Sequence, residues 1–207
     1  HLADTSFVHH AANARPGNLI NTPTRVYAAA SQEPEIKIVN MRIRNNHFEG
    51  RSDIAWNRLD RDNGASIDLV AVRATKGFEV TNNTMIHSGL AGLSISSGSE
   101  DGLVTGNTIA YTDSLGVNMG HPGGIPKPAY AAANVTVVDN NIHHTGLDKL
   151  SQHANPLPAV SMINAVNSCV VGNTIADSDL GIWAYDGQAT PTRAYLLEDM
   201  YVGPNDF

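Results

Sequence analysis

The feature that most constrains this chain is an asparagine that returns in one short pattern. It occurs as Arg44-Asn45-Asn46-His47-Phe48, Thr81-Asn82-Asn83-Thr84-Met85, Thr105-Gly106-Asn107-Thr108-Ile109, Val138-Asp139-Asn140-Asn141-Ile142 and Val171-Gly172-Asn173-Thr174-Ile175. The intervals from Asn46 through Asn83, Asn107 and Asn140 to Asn173 are 37, 24, 33 and 33 residues. The shortest is the bare unit, and the others carry insertions. A unit of this size made of short strands reads as one turn of a solenoid, which buries its apolar side only by stacking on its neighbours.

The uninterrupted unit, Thr84 to Gly106, shows the plan. Met85-Ile86 open a strand, His87 to Ala91 turn, Gly92-Leu93-Ser94-Ile95 alternate as a second strand, Ser96 to Asp101 turn again, and Leu103-Val104 lead back to Asn107. Short apolar runs bounded by Gly, Ser, Asn and Asp fit strands, whereas helices need longer stretches at a 3.6-residue period. Three strands and three bends close one coil, and coils stacked about 4.8 Å apart make three parallel sheets. Asparagine suits the tight bend because it tolerates the left-handed conformation and its amide bonds neighbouring backbone, so stacked copies form an internal ladder. Gly92, Gly116 and Gly181, with Ala159 in the same place, each precede an inward pair: Leu93/Ile95, Val117/Met119, Ile182/Ala184 and Val160/Met162. Alternation then turns Ser94, Asn118, Ser161 and Trp183 outward in one column.

With "VTGNTIA", "VVDNNIHHTG" and "VVGNTIADSDLGI", the chain resembles the right-handed parallel β-helix proteins of the pectate-lyase-like superfamily over roughly residues 36 to 187. The expected fold is all-β: a right-handed single-stranded parallel β-helix of about six coils with an internal Asn ladder. Residues 1–35 read as an irregular N-terminal segment or partial first coil, and 36–207 as the β-helix, itself open to being part of a longer one. The segment Tyr195 to Val202 reads as a further strand pair, with Asp199 near the ladder position. The long insertions resemble the carbohydrate-active branch, glycoside hydrolases and polysaccharide lyases, which implies a secreted protein, extracellular or periplasmic. The paired-aspartate signature of polygalacturonases and the aspartate cluster with an arginine of pectate lyases are both absent.

Composition narrows the partners. The 207 residues carry 13 basic and 20 acidic side chains, a net charge of −7, with no basic run, so nucleic acid is not an expected partner. A neutral glycan fits this charge, whereas a polyanionic one needs a local basic patch, to which only Lys127 and Lys149 point. Cys169 is the single cysteine and reads as a buried inert thiol. No run approaches the ~20 apolar residues of a membrane span. The chain starts at His1 without Met or signal peptide and reads as a processed or truncated product. Solenoid ends need cover, and no capping helix is visible, so a second copy or a flanking domain is expected there.

Coil alignment also maps chemistry. The turn after the ladder strand holds His87, Tyr111, His144 and Asp177 at equivalent positions. Two histidines, a phenol and a carboxylate in one column can move protons, with Asp177 holding His144 as base and Tyr111 as donor; the same residues also serve as ordinary polar turn residues. The outward column continues to Tyr185, and Trp183 with Tyr185 offers flat rings to a sugar face or to a covering loop. Insertions at 121–128 and 147–158 flank the strand Ala159 to Ile163. A groove between them would combine His121, His144, Asp148, Lys149 and Asp186, with Tyr111, Asn118, Ser161, Trp183, Tyr185 and Lys149 binding substrate. A hydrolase needs two carboxylates about 5 to 9.5 Å apart, and a lyase needs a base and a neutraliser of a uronic carboxylate; both readings stay open. No cofactor is expected, Asp177 and Asp179 being the one pair that invites Ca2+. The competing class is a non-catalytic glycan-binding module, adhesin or tailspike-like β-helix. Asn134-Val135-Thr136 matches a glycosylation sequon.

Overall fold

The structure, a computed structural model, describes residues 2–8, 20–21, 38–50, 68–96, 98–120, 131–147, 157–184, 197–198 and 200–207. Every regular element among them is a strand, and every strand pairs in parallel with the equivalent strand of a neighbouring coil. Sheet A contains Leu2–Ala3, Ile38–Arg44, Thr75–Thr81, Glu100–Thr105, Ala132–Val138, Ala165–Val166, Cys169–Val171, Leu197–Glu198 and Tyr201–Val202. Sheet B contains Ser6–Val8, His47–Glu49, Thr84–Ile86, Thr108–Thr112, Asn141–Thr145 and Thr174–Ser178. Sheet C contains Ile20–Asn21, Val70–Arg73, Ala91–Ser96, Leu115–Met119, Pro158–Met162 and Leu180–Ala184. The chain visits A, B and C in turn, as a parallel β-helix does, and connections between parallel strands of this kind are right-handed.

Like stacks on like inside. In sheet A the file is Ile43, Val80, Val104, Val137 and Val170; in sheet B it is Phe48, Met85, Ile109, Ile142 and Ile175. All ten are buried. Each such side chain contributes roughly 1.5–3 kcal/mol by leaving water, so the core is a column whose stability grows coil by coil. Sheet C closes it with Val70/Val72, Leu93/Ile95, Val117/Met119 and Val160/Met162. The glycines ahead of these pairs answer to space. A Cβ on Gly116 would stand 2.6 Å from Ile142 Cγ2 and 2.7 Å from the Ala159 carbonyl oxygen. Glycine therefore lets sheet C close tightly against the sheet B file.

The asparagine row is continuous. Asn46 Nδ2 donates to Asn83 Oδ1 at 3.0 Å, and the same bond links Asn83 to Asn107, Asn107 to Asn140 and Asn140 to Asn173, each at 2.9 Å. Each backbone N–H of the row donates to that same oxygen, as Asn107 N does to Asn140 Oδ1 at 3.0 Å. Each Nδ2 also reaches the carbonyl two residues back and one from the preceding coil, for Asn107 those of Thr105 and Val80. One amide therefore satisfies backbone groups that a bend leaves outside the sheet ladders.

Two expectations about the row need correcting. The left-handed residue is not the ladder asparagine but the one before it: Asp4, Asn45, Asn82, Gly106, Asp139 and Gly172 have φ between 54° and 66°. Asn, Asp and Gly enter that region at little cost, and the ladder residue is left free to aim its amide inward. The row also ends at Asn205, which accepts from Asn173 Nδ2 at 3.0 Å, and not near Asp199, which lies outside the described residues. At the other end Thr5 N donates to Asn46 Oδ1 at 3.1 Å.

Outside, sheet A is a solvated face. Glu79 pairs with Arg42 and Arg44, and Lys76 with Glu100 at 3.1 Å and Asp101 at 3.6 Å. A second left-handed column, Asn40, Gly77, Asp101, Asn134 and Asn167, kinks its strands, and Asn134 Nδ2 donates to Asp101 Oδ1 at 2.9 Å. The sequon asparagine is thus exposed. Cys169, expected to be buried, is only partly so, with its thiol 3.6 Å from Thr136 Oγ1. No helix among the described residues is long and apolar enough to cross a membrane.

Position in the row sets the cost of breaking it. Asn107→Leu should lower unfolding free energy in urea by about 3 kcal/mol, because several buried backbone groups lose their partner. Asn205→Leu, at the half-exposed end, should cost about 1 kcal/mol. Equal losses at the two sites would contradict the role assigned to the row.

Candidate functional site

The proton-transfer column, expected on a turn, runs along the C-terminal ends of the sheet B strands: Tyr111, His144 and Asp177 lie within Thr108–Thr112, Asn141–Thr145 and Thr174–Ser178, and His87 directly follows Thr84–Ile86. His87, Tyr111, His144 and Asp177 occupy one position in four successive coils, each with left-handed backbone (φ 60°, 54°, 53° and 49°). The other two left-handed columns use Asn, Asp and Gly almost throughout. This one places a bulky phenol and two imidazoles there, and Tyr111 in particular holds a conformation that costs a β-carbon-bearing residue about 1–2 kcal/mol. Backbone strain of this kind concentrates where side chains have work to do.

The rings form a stack along the solenoid axis. His87 and Tyr111 lie parallel with centroids 5.3 Å apart, and Tyr111 and His144 are tilted at 4.8 Å. Stacking follows from the coil spacing, which brings equivalent side chains within ring contact. His143, which the coil alignment passed over, joins from one residue earlier in the strand: its Nδ1 is hydrogen-bonded to His144 Nδ1 at 2.9 Å, and its ring meets Tyr111 edge-on at 5.8 Å. An adjacent His-His pair at the end of a sheet B strand was the available signal. Asp177 Oδ2 stands 3.8 Å from His144 Nδ1. Burial, and next the neighbouring His144, hold His143 below the ordinary histidine range, with Asp177 opposing. His143 therefore favours its neutral form, able to share one proton with His144. Tyr111 is 40% exposed and Asp177 is exposed, so the ridge is open to solvent.

The outward column of sheet C is in the expected register: Ser94 pairs with Asn118, Asn118 with Ser161, and Ser161 with Trp183. It is not an open face. Ser94, Asn118 and Ser161 are 4%, 9% and 1% exposed, and Trp183 is partly buried. Next to it sits a carboxyl that alternation alone did not single out. Asp68 precedes the strand Val70–Arg73, is buried, and has Oδ2 3.7 Å from Arg73 Nη2. Burial pushes its pKa up to about 6, while Arg73, the Ala91 backbone and the Ser94 hydroxyl pull the other way. Aligning coils on the glycine before the inward pair would have put Asp68 where Ala91 stands in the next coil.

The structure thus brings together Tyr111, His144 and Asp177 on the ridge, and Asn118, Ser161 and Trp183 on sheet C. His121, Asp148, Lys149, Tyr185 and Asp186 lie outside the described residues, as does the proposed groove between the insertions. No group of three metal-ligating side chains is assembled among the described residues.

No family model matches the chain, and no curated protein matches its sequence. Among solved structures, the A-module of the mannuronan C-5 epimerase AlgE6 of Azotobacter vinelandii is similar, with a TM-score of 0.57 at 14% identity, covering 82% of this chain and 46% of that one. The AlgE4 A-module of the same organism gives a TM-score of 0.47 at 16% identity, covering 82% of this chain and 50% of that one. The chain therefore spans about half the length of these modules. The likeness is one of fold, that of a parallel β-helix.

Asp68 offers a direct check on this geometry. Its folded pKa of about 6 lies above the ordinary 3.8, so between these values the folded state keeps a proton that the unfolded chain releases. Stability should fall as pH rises through that window and level off above it, by about 3 kcal/mol in all. Asp68→Asn should remove this slope and be the more stable protein at pH 7. Urea unfolding of both proteins at a series of pH values reads it, and parallel profiles would refute it.

Proposed function

We propose that this protein acts outside the cytoplasm on a polysaccharide, binding it along the ridge of His87, Tyr111, His143, His144 and Asp177 and cleaving it by acid-base chemistry centred on His144. The carrying observation is that one position at the ends of the sheet B strands presents, in successive coils, stacked flat rings and then a carboxylate, in a backbone conformation that tyrosine adopts only at a cost. Flat rings at coil spacing suit the apolar faces of a sugar chain lying along the axis. In the tautomer whose His144 Nδ1–H donates to His143 Nδ1, His144 Nε2 carries the lone pair that takes a proton, and the Asp177 carboxylate stands 3.8 Å from the same ring. The fold neighbours are named as epimerases of mannuronan, which supports a glycan as the partner class. A binding module without catalysis would keep the rings and have no use for the His144–Asp177 pairing.

A panel of glycans incubated with the protein, followed for new reducing ends and for absorbance of unsaturated uronate, tests the reading. Unsaturated product marks a lyase, saturated product a hydrolase, and binding alone the module. His144→Ala should reduce turnover by about 100-fold or more with unfolding unchanged, and Tyr111→Ala should act chiefly on KM. Turnover at parental level in both variants would remove the ridge from the mechanism.

A further inference from the structure

Neighbouring residues of a strand point to opposite faces, so the rings of His143 and His144 have no ordinary way to meet. They meet here because His144 holds left-handed backbone, which swings its side chain back toward that of His143 and sets the two Nδ1 atoms 2.9 Å apart. The equivalent pairs of the neighbouring coils are Ile86-His87, Ala110-Tyr111 and Ala176-Asp177. Each of those sets one polar group beside an aliphatic one. Among the described coils only this one brings two nitrogen bases together, and it does so within reach of solvent, with the His144 side chain 40% exposed.

A gap of this width between two imidazole nitrogens holds one thing at a time. With no hydrogen the lone pairs repel, and with two the N–H groups collide, so the pair shares either one proton or one cation. For a cation about 2.0 Å from each nitrogen, a separation of 2.9 Å corresponds to an angle of about 90° at the ion. Tetragonal Cu2+ and Ni2+ take that angle with imidazole ligands, whereas tetrahedral Zn2+ asks for a wider one. A modest rotation of the half-exposed His144 ring turns the two lone pairs from each other toward a common ion. The described residues assemble no third ligand, so water completes the shell. Asp177, with Oδ2 3.8 Å from His144 Nδ1, adds a negative charge that attracts a cation to this place.

We propose that His143 and His144 form a two-nitrogen chelate for a divalent transition cation of tetragonal preference, Cu2+ first, and that its binding switches off the ridge. The switch rests on the reading of His144 as the base. A cation on His144 Nδ1 takes the place of the hydrogen there, which passes through solvent to Nε2. That nitrogen then has no lone pair with which to take a proton from substrate. His143, which accepts through Nδ1 in the same tautomer, needs no such rearrangement. Metal and turnover therefore exclude each other at one side chain.

Calorimetric titration of the intact protein with Cu2+ alone tests the chelate, with the visible absorbance of the bound ion as a second readout. His143→Ala and His144→Ala should each weaken the tightest binding event by about tenfold or more. His87→Ala, on the same ridge, should bind as the parent does, and Ca2+, which seeks oxygen ligands, should not displace the ion. Unchanged Cu2+ affinity in both variants of the pair overturns the chelate, as does displacement by Ca2+. On a glycan that the protein turns over, saturating Cu2+ should lower the rate by about 100-fold or more, and EDTA should restore it. Full turnover with the ion bound overturns the switch and the assignment of His144 as base, while the chelate stands. Turnover of no glycan at all takes the switch down with the ridge reading, and the Cu2+ titration still decides the chelate.

Discussion

Everything in this molecule hangs on one side-chain amide repeated at coil spacing. An asparagine at the bend between sheets A and B accepts from the backbone and side chain of its neighbour in the preceding coil, and donates to two carbonyl groups that the bend would strand. A serine has a single hydrogen and cannot donate to two carbonyls, and an aspartate has no hydrogen to give. Because the amide is buried, each of these bonds forms where water offers no substitute. The files of Ile, Val and Met beneath it then stack at a spacing the amides have already set.

That spacing turns the outer surface into columns, and the columns differ in how they treat their backbone. In the other two left-handed columns, which merely turn the chain, the position is filled by Asn, Asp or Gly. Along the ridge the same conformation is held by His87, Tyr111 and His144, whose rings are worth more in that place than the conformational ease they forgo. The sheet faces divide the remaining labour: sheet A meets water with ion pairs, and sheet C conceals small polar side chains.

Much of this could be read in the chain, and the gaps have physical causes. The five internal asparagines were visible because a central rung must accept at one atom and donate repeatedly from another, which a short side-chain amide does and a hydroxyl or carboxylate does not. Thr5 was not, because the first rung only supplies a backbone N–H to Asn46, and any residue does that. Asn205 was hidden by Pro204, which takes the left-handed position with a ring that forbids positive φ and so breaks the motif. The ridge was legible since equivalent positions in stacked coils must touch. His143 was missed because its equivalents in the neighbouring coils are Ile86, Ala110 and Ala176, which give that column no chemical pattern. Alternation correctly separated the two sides of sheet C, yet it carries no information on what lies over the outward side, and so neither the burial of Ser94 and Ser161 nor the raised pKa of Asp68 followed from it.

Parallel pairing between coils carries a hazard that the row removes. Strands this short, with valine or isoleucine recurring along them, offer near-equivalent alignments one or two residues apart, and a slip of one would turn a coil inside out. The row of amides penalises every such shift at once. A coil that slips carries its asparagine away from the neighbouring oxygen, and leaves the bend carbonyls of two coils bare in the apolar interior. Insertions of any length between the strands leave this lock untouched, which is how coils of 24 and 37 residues share one pitch. The ladder is therefore a proofreading device for assembly as much as a source of stability.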